Sequence, residues 1–93
     1  MGLNKQELAT IHATNLGNFG IKISCSQDGF WRGFVTLKQT GVEYPILTAR
    51  GDTKTWRNPA DAILFIQGVC PKCEDILMQI GDWDFVKSTL IKY

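Results

Sequence analysis

The sequence predicts an α+β fold: an N-terminal helix, a four-stranded antiparallel meander, and two C-terminal helical segments packed on one face of the sheet. Three observations carry this prediction. A capped amphipathic segment opens the chain, the middle alternates short apolar runs with glycine-containing turns, and a second capped apolar segment begins at Asn58-Pro59. A chain of 93 residues closes one hydrophobic core, so residues 1–93 are expected to form a single domain.

The first helix is expected from Lys5 to Leu16. Asn4 is its N-cap, Glu7 the reciprocal partner three residues on, and Leu3 and Leu8 are spaced as a hydrophobic staple. Gly17, Asn18 and Gly20 end it. The strands follow as IKISCSQ, FWRGFVTLKQ, VEYPILTAR and TKTWR, separated by Asp28-Gly29, Thr40-Gly41 and Gly51-Asp52. Asp28-Gly29 suits a type I′ hairpin, Gly51-Asp52 a type II′ hairpin, and Thr40-Gly41 closes a loop of two or three residues. Pro45 places a bend or an edge in the third strand. Asn58 then caps a helix with Pro59 at its first position, running to Gln67. Cys70-Pro71 interrupts, EDILMQI resumes the helical pattern to Gly81, and the segment from Asp82 reads as a short helix, with an extra strand as the alternative.

Composition is that of an ordinary globular domain, with 44% hydrophobic and 20% charged residues. The N-terminus lacks the pattern of a secretory signal, and no segment approaches the roughly 20 apolar residues of a membrane span. A cytoplasmic location without membrane contact is expected, and the odd number of cysteines, three, fits reduced thiols. The net charge of +1 is unevenly placed: from Ile21 to Arg57 six basic residues face three acidic ones, and from Asn58 onward three lysines face five carboxylates.

Cys70 and Cys73 form a Cys-x-x-Cys pair. A structural zinc site needs four ligands, and the additional candidates are Cys25 and His12. A thioredoxin-like redox motif normally follows the first strand of a βαβ unit, whereas here a helix precedes the pair. The plainest reading is a packed corner between two helices, with thiol or zinc chemistry ranked below it. His12, on an apolar helix, reads as a packed side chain rather than a base. Glu74, Asp75, Asp82 and Asp84 have the chemistry to hold a magnesium ion, but carboxylates near a helix start ordinarily serve the helix dipole. Arg50-Gly51-Asp52 reads as a hairpin turn. No catalytic motif is present, and neither an enzyme nor a cofactor is expected.

Strand alternation puts Phe30, Arg32, Phe34, Thr36 and Lys38 on one face and Trp31, Val35 and Leu37 on the other. An open face of rings and cations suits single-stranded nucleic acid, with bases stacked on the aromatics and phosphates on the cations. Arg32, Lys38, Arg50, Lys54 and Arg57 are the candidate phosphate contacts, and Phe30, Phe34 and Tyr44 the candidate stacking platforms. Arg50 and Arg57 join this face if the Thr40-Gly41 loop has three residues and leave it if the loop has two. The plain alternative is that Phe30 and Phe34 are core.

The run YPILTARGDTKTWRNPADAILFI, most specifically TARGDTKTW followed by NPADAI, resembles small proteins of bacterial plasmids and other mobile elements, including partition-associated proteins of the ParC type, over residues 30–67. That resemblance implies a role beside DNA maintenance or transfer and transfers no catalytic residue. The sheet-then-helix layout is also similar to the single-stranded-DNA-binding folds of positive-cofactor transcriptional coactivators and Whirly proteins, from which this chain departs in its N-terminal helix and few lysines. The expected function is therefore a non-enzymatic plasmid or mobile-element accessory protein that binds nucleic acid through the basic sheet. The alternative is a protein-interaction or inhibitor module using the sheet edge or exposed aromatics. Homodimerisation through the sheet edge suits so small a domain under either reading, but the sequence does not specify it.

Overall fold

The computed structural model describes residues 2–87. Its elements are α1 (Lys5–Thr14), β1 (Phe19–Cys25), β2 (Trp31–Leu37), β3 (Glu43–Pro45), β4 (Thr55–Trp56), α2 (Pro59–Val69), β5 (Ile76–Ile80) and β6 (Trp83–Val86). The class is α+β with an N-terminal helix, but the four-stranded meander with two C-terminal helical segments is corrected. The described chain forms a six-stranded mixed sheet in the order β3-β2-β1-β5-β6, with β4 pairing on β2 beside β3.

The correction lies in the last third of the chain. EDILMQI supplies a strand, β5, which pairs parallel to β1 with Ile21 opposite Ile76 and Ser24 opposite Gln79. Four apolar residues in the run of five leave no period to tell a buried strand from a buried helix, and parallel strands characteristically read this way. The expected helix from Asp82 is also replaced, within the described residues, by β6, which pairs antiparallel with β5 through Ile80 and Trp83. Gly81 has a φ of 55° and among the described residues no non-glycine residue has a positive φ, the pattern of a two-residue type II′ turn with glycine first. The remainder of that expected helix, residues 88–93, lies outside the described residues.

The loops differ in length from expectation. At Asp28-Gly29 the Ser26 amide donates to the Phe30 carbonyl at 2.9 Å and Gly29 has a φ of 85°, giving a three-residue loop with glycine in the left-handed position. Thr48 and Asp52 close the Gly51 turn in the same way, with the Thr48 amide donating to the Asp52 carbonyl at 2.7 Å. The loop at Thr40-Gly41 is longer: the Leu37 amide donates to the Val42 carbonyl at 3.1 Å, which leaves residues 38–41 between the strands.

Pro45 ends the pairing of β3 with β2. The Ile46 amide still donates to the Gly33 carbonyl at 2.9 Å; after it the chain leaves β2, Ile46 and Leu47 are bridged by Leu3 and Thr53, and β4 takes over the remaining half of β2 with Trp31 opposite Trp56. Gly33 lets this happen, because a Cβ there would lie 2.8 Å from the Ile46 side chain. Both helices pack on one face, α2 against β2 and β4 and α1 against α2. Beneath them lies the core of Leu8, Phe19, Ile21, Ile23, Val35, Ile46 and Ile66. The Asn4–Glu7 capping box forms in full, and Asn58 caps α2 by accepting the Asp61 amide at 2.9 Å.

Candidate functional site

Register assigns every strand residue to a face. The helix-covered face holds Phe19, Ile21, Ile23, Trp31, Val35 and Trp56, while Lys22, Ser24, Arg32, Phe34 and Thr36 point to the opposite face, on which no described helix packs. The nucleic-acid residues expected from sequence divide between the two. Arg32 and Phe34 stand on the open face, where Phe30 joins them under the Arg57 guanidinium, 5.9 Å from its ring centroid. Arg57 arrives there although the Thr40-Gly41 loop has four residues, because β4, not β3, carries its register.

Tyr44 lies opposite Val35 and so belongs to the helix side. Lys54 is also on that side, its ammonium 5.6 Å from the Trp56 ring and 5.1 Å from the Phe65 ring. Arg50 is exposed in the 48–52 turn, and Lys38 follows β2 at the edge of the loop. The eight residues therefore do not form one surface.

The open-face cations are largely compensated. Lys22 pairs with Glu43 at 2.9 Å, Arg32 with Asp28 at 3.0 Å, and Lys38 with Asp75 at 3.0 Å. Hydrogen bonds from the Arg32 guanidinium and then from the Phe30 amide hold the Asp28 carboxyl below its ordinary pKa. Lys22, which sequence reasoning passed over, sits 5.2 Å from the Phe34 ring centroid. The alternation of IKIS was its available signal.

Cys70 and Cys73 are 1% and 2% exposed, free, and part of the turn that leads from α2 into β5. That turn joins a helix to a strand rather than two helices. Burial, with the Cys73 thiol beside it, pushes the Cys70 thiol up to about 11, and burial raises Cys73 as well. Deep protonated thiols of this kind are poor nucleophiles. The Lys72 amide donates to His12 Nε2 at 3.2 Å, tying the turn to α1. Among the described residues no group of three or more His, Cys, Asp or Glu side chains is placed to hold a metal ion.

The exposed apolar residues concentrate on the last hairpin. Trp83 is 70% exposed, Phe85 45% and Val86 74%, with the Trp83 and Phe85 rings stacked at 6.4 Å and 16°. Among the described residues no strand pairs with the outer edge of β6. The Lys87 amide donates to the Ile76 carbonyl at 3.1 Å, so by strand alternation the backbone groups of Trp83 and Phe85 also face β5, and those of Asp84 and Val86 face outward. An exposed edge with flanking aromatics is a template for strand addition.

No family model, curated protein or solved structure matches the chain. Among the described residues no helix is long and apolar enough to cross a membrane.

Proposed function

We propose that this chain is a non-enzymatic protein-interaction module that works by strand addition at the outer edge of β6, and that its partner there is a second copy of itself. One observation carries the reading: β6 offers outward backbone groups at Asp84 and Val86 beside the exposed, stacked rings of Trp83 and Phe85.

The partner follows from the register. Two copies related by a two-fold axis pair antiparallel, and the outward-facing residues must pair with one another. Centring on Asp84 sets two carboxylates face to face. Centring on Phe85 instead lets Asp84 exchange both backbone bonds with Val86 of the second copy, stacks Phe85 on its equivalent, and sets Trp83 across from the stem of Lys87, whose ammonium holds the Cys73 carbonyl at 2.9 Å. The Phe85-centred register spans the whole of β6 and avoids the like-charge contact.

Sedimentation of the full chain over a concentration series tests this. A reversible dimer is expected, and a Phe85→Cys variant should form a disulfide-linked dimer under mild oxidation, because the two thiols meet on the axis. A monomer at all concentrations with no cross-link refutes it.

Nucleic-acid binding by the open face is the second reading, favoured by Arg57 over Phe30. The ion pairs of Lys22, Arg32 and Lys38 place it below strand addition. An origin on a plasmid or mobile element rests on the TARGDTKTW and NPADAI segments, and the cytoplasm as location on the free thiols.

A further inference from the structure

A groove away from β6 has the make-up of a small-molecule site. It lies between the first turn of α1, the 48–52 turn and the second half of α2, and encloses about 760 Å³. Ligand pockets are typically about 300–1,000 Å³. Leu47, Phe65 and Val69 give it an apolar lining.

Its charge is one-sided. Lys5 and Lys54 line the groove, and among the described residues no carboxylate does. Lys22 and Lys38 each hold a carboxylate at about 3 Å, but none of the ion pairs among the described residues includes Lys54, which is left over two aromatic rings. Thr48, also in the lining, buries a hydroxyl oxygen with no hydrogen-bond partner among the described residues.

Gly68 supplies an independent indication. Gly68 lies in the last turn of α2, where alanine has the higher helix propensity. At Gly68 a Cβ would meet nothing within 4 Å and the φ is not positive, so neither packing nor backbone geometry calls for glycine. Its visible effect is to keep the wall of the groove open.

We propose that this groove binds a small amphipathic anion, an alkyl or aryl carboxylate whose apolar body lies on Leu47, Phe65 and Val69 and whose carboxylate is held between Lys5 and Lys54. The cations select the headgroup and the apolar lining takes the chain.

Calorimetric titration of the full chain with decanoate, and in parallel with decanol, tests this. Saturable decanoate binding is expected, with decanol at least tenfold weaker. Lys5→Gln with Lys54→Gln should weaken decanoate by about tenfold, the scale of losing charge-assisted hydrogen bonds, and leave decanol unchanged. Gly68→Trp should block the groove, while Gly68→Ala keeps binding and shows that the helix tolerates a side chain there. Equal binding of decanoate and decanol, no saturation, or binding indifferent to both Lys54→Gln and Gly68→Trp overturns the proposal. So does loss of decanoate binding on Val86→Pro, which would move the ligand to the β6 edge.

Discussion

Proline placed at successive positions of β6 separates the outward backbone groups from the inward ones. Val86→Pro removes an N–H that faces away from β5, and Phe85→Pro removes one that faces Met78. Val86 is 74% exposed, so about a quarter of the roughly 2 kcal/mol from burying such a side chain is at stake, near 0.5 kcal/mol. Phe85 is 45% exposed and stands to lose about 1.5 kcal/mol of burial, plus about 1–3 kcal/mol for the stranded Met78 carbonyl. The monomer of Phe85→Pro should therefore unfold about 2.5–4.5 kcal/mol more easily and that of Val86→Pro only slightly so. In the Phe85-centred dimer, Val86→Pro deletes two symmetry-related bonds at about 0.5–1.5 kcal/mol each, weakening association roughly 5- to 150-fold. Urea unfolding at a concentration where the chain is monomeric gives the first quantity and sedimentation the second. Equal destabilisation by the two prolines would refute the assigned alternation, and a Val86→Pro dimer as tight as the wild type would refute strand addition.

Three other outcomes follow from the geometry. Gly33→Ala should cost about 1–3 kcal/mol, because its Cβ would fall 2.8 Å from the fully buried Ile46 side chain; thermal unfolding checks this, and an unchanged midpoint would mean that Ile46 has room to turn. Cys70 and Cys73 should resist a thiol reagent at pH 8 in the folded chain and react on unfolding; since Cys70 in the fold binds its proton more tightly than a free thiol, stability should fall as pH rises from about 9 toward 11, and a flat denaturant midpoint across that window would contradict the burial. Asp28→Asn with Glu43→Gln releases Arg32 and Lys22, so if the open face binds nucleic acid, affinity for a single-stranded oligonucleotide and its salt dependence should both rise; no binding by either form at low salt sinks that reading.

The legible parts of this sequence were those decided by neighbours in the chain. Asn4 and Glu7 satisfy each other within one helical turn, and Asn58-Pro59 opens α2 by local chemistry alone. The facing of Arg32 and Phe34 on β2 also needed only alternation. Loop length was less accessible: Gly29 and Gly51 announce a left-handed residue, but two-residue and three-residue loops both accept one. The sides of Tyr44 and Lys54 depended on those loops and on the switch from β3 to β4, so they were misplaced together. For β6, Trp83-Asp84-Phe85 alternates as a strand does, but Asp82 is equally suited to capping a helix, and the same Gly-Asp pair was read as a turn only at residues 51–52. The pairs Lys22–Glu43 and Lys38–Asp75 join separate segments, and their cancellation of the basic face exists only once the sheet is assembled.

The parallel contact of β1 with β5 shapes how the chain reaches its fold. Ile21 and Ile76 are adjacent across the sheet, yet β2, β3, β4 and α2 all lie between β1 and β5 in sequence. Closing so long a loop costs entropy before the strand pairing repays it, so the topology predicts that the β5–β6 hairpin docks late during folding. Until it docks, the outer edge of β1 is vacant, and a hairpin from a neighbouring chain fits that vacancy as well as the chain's own. The turn at Cys70–Cys73 is the hinge such an exchange would have to open, and its two buried thiols, with the Lys72 amide tied to His12, oppose that opening once the hairpin is home.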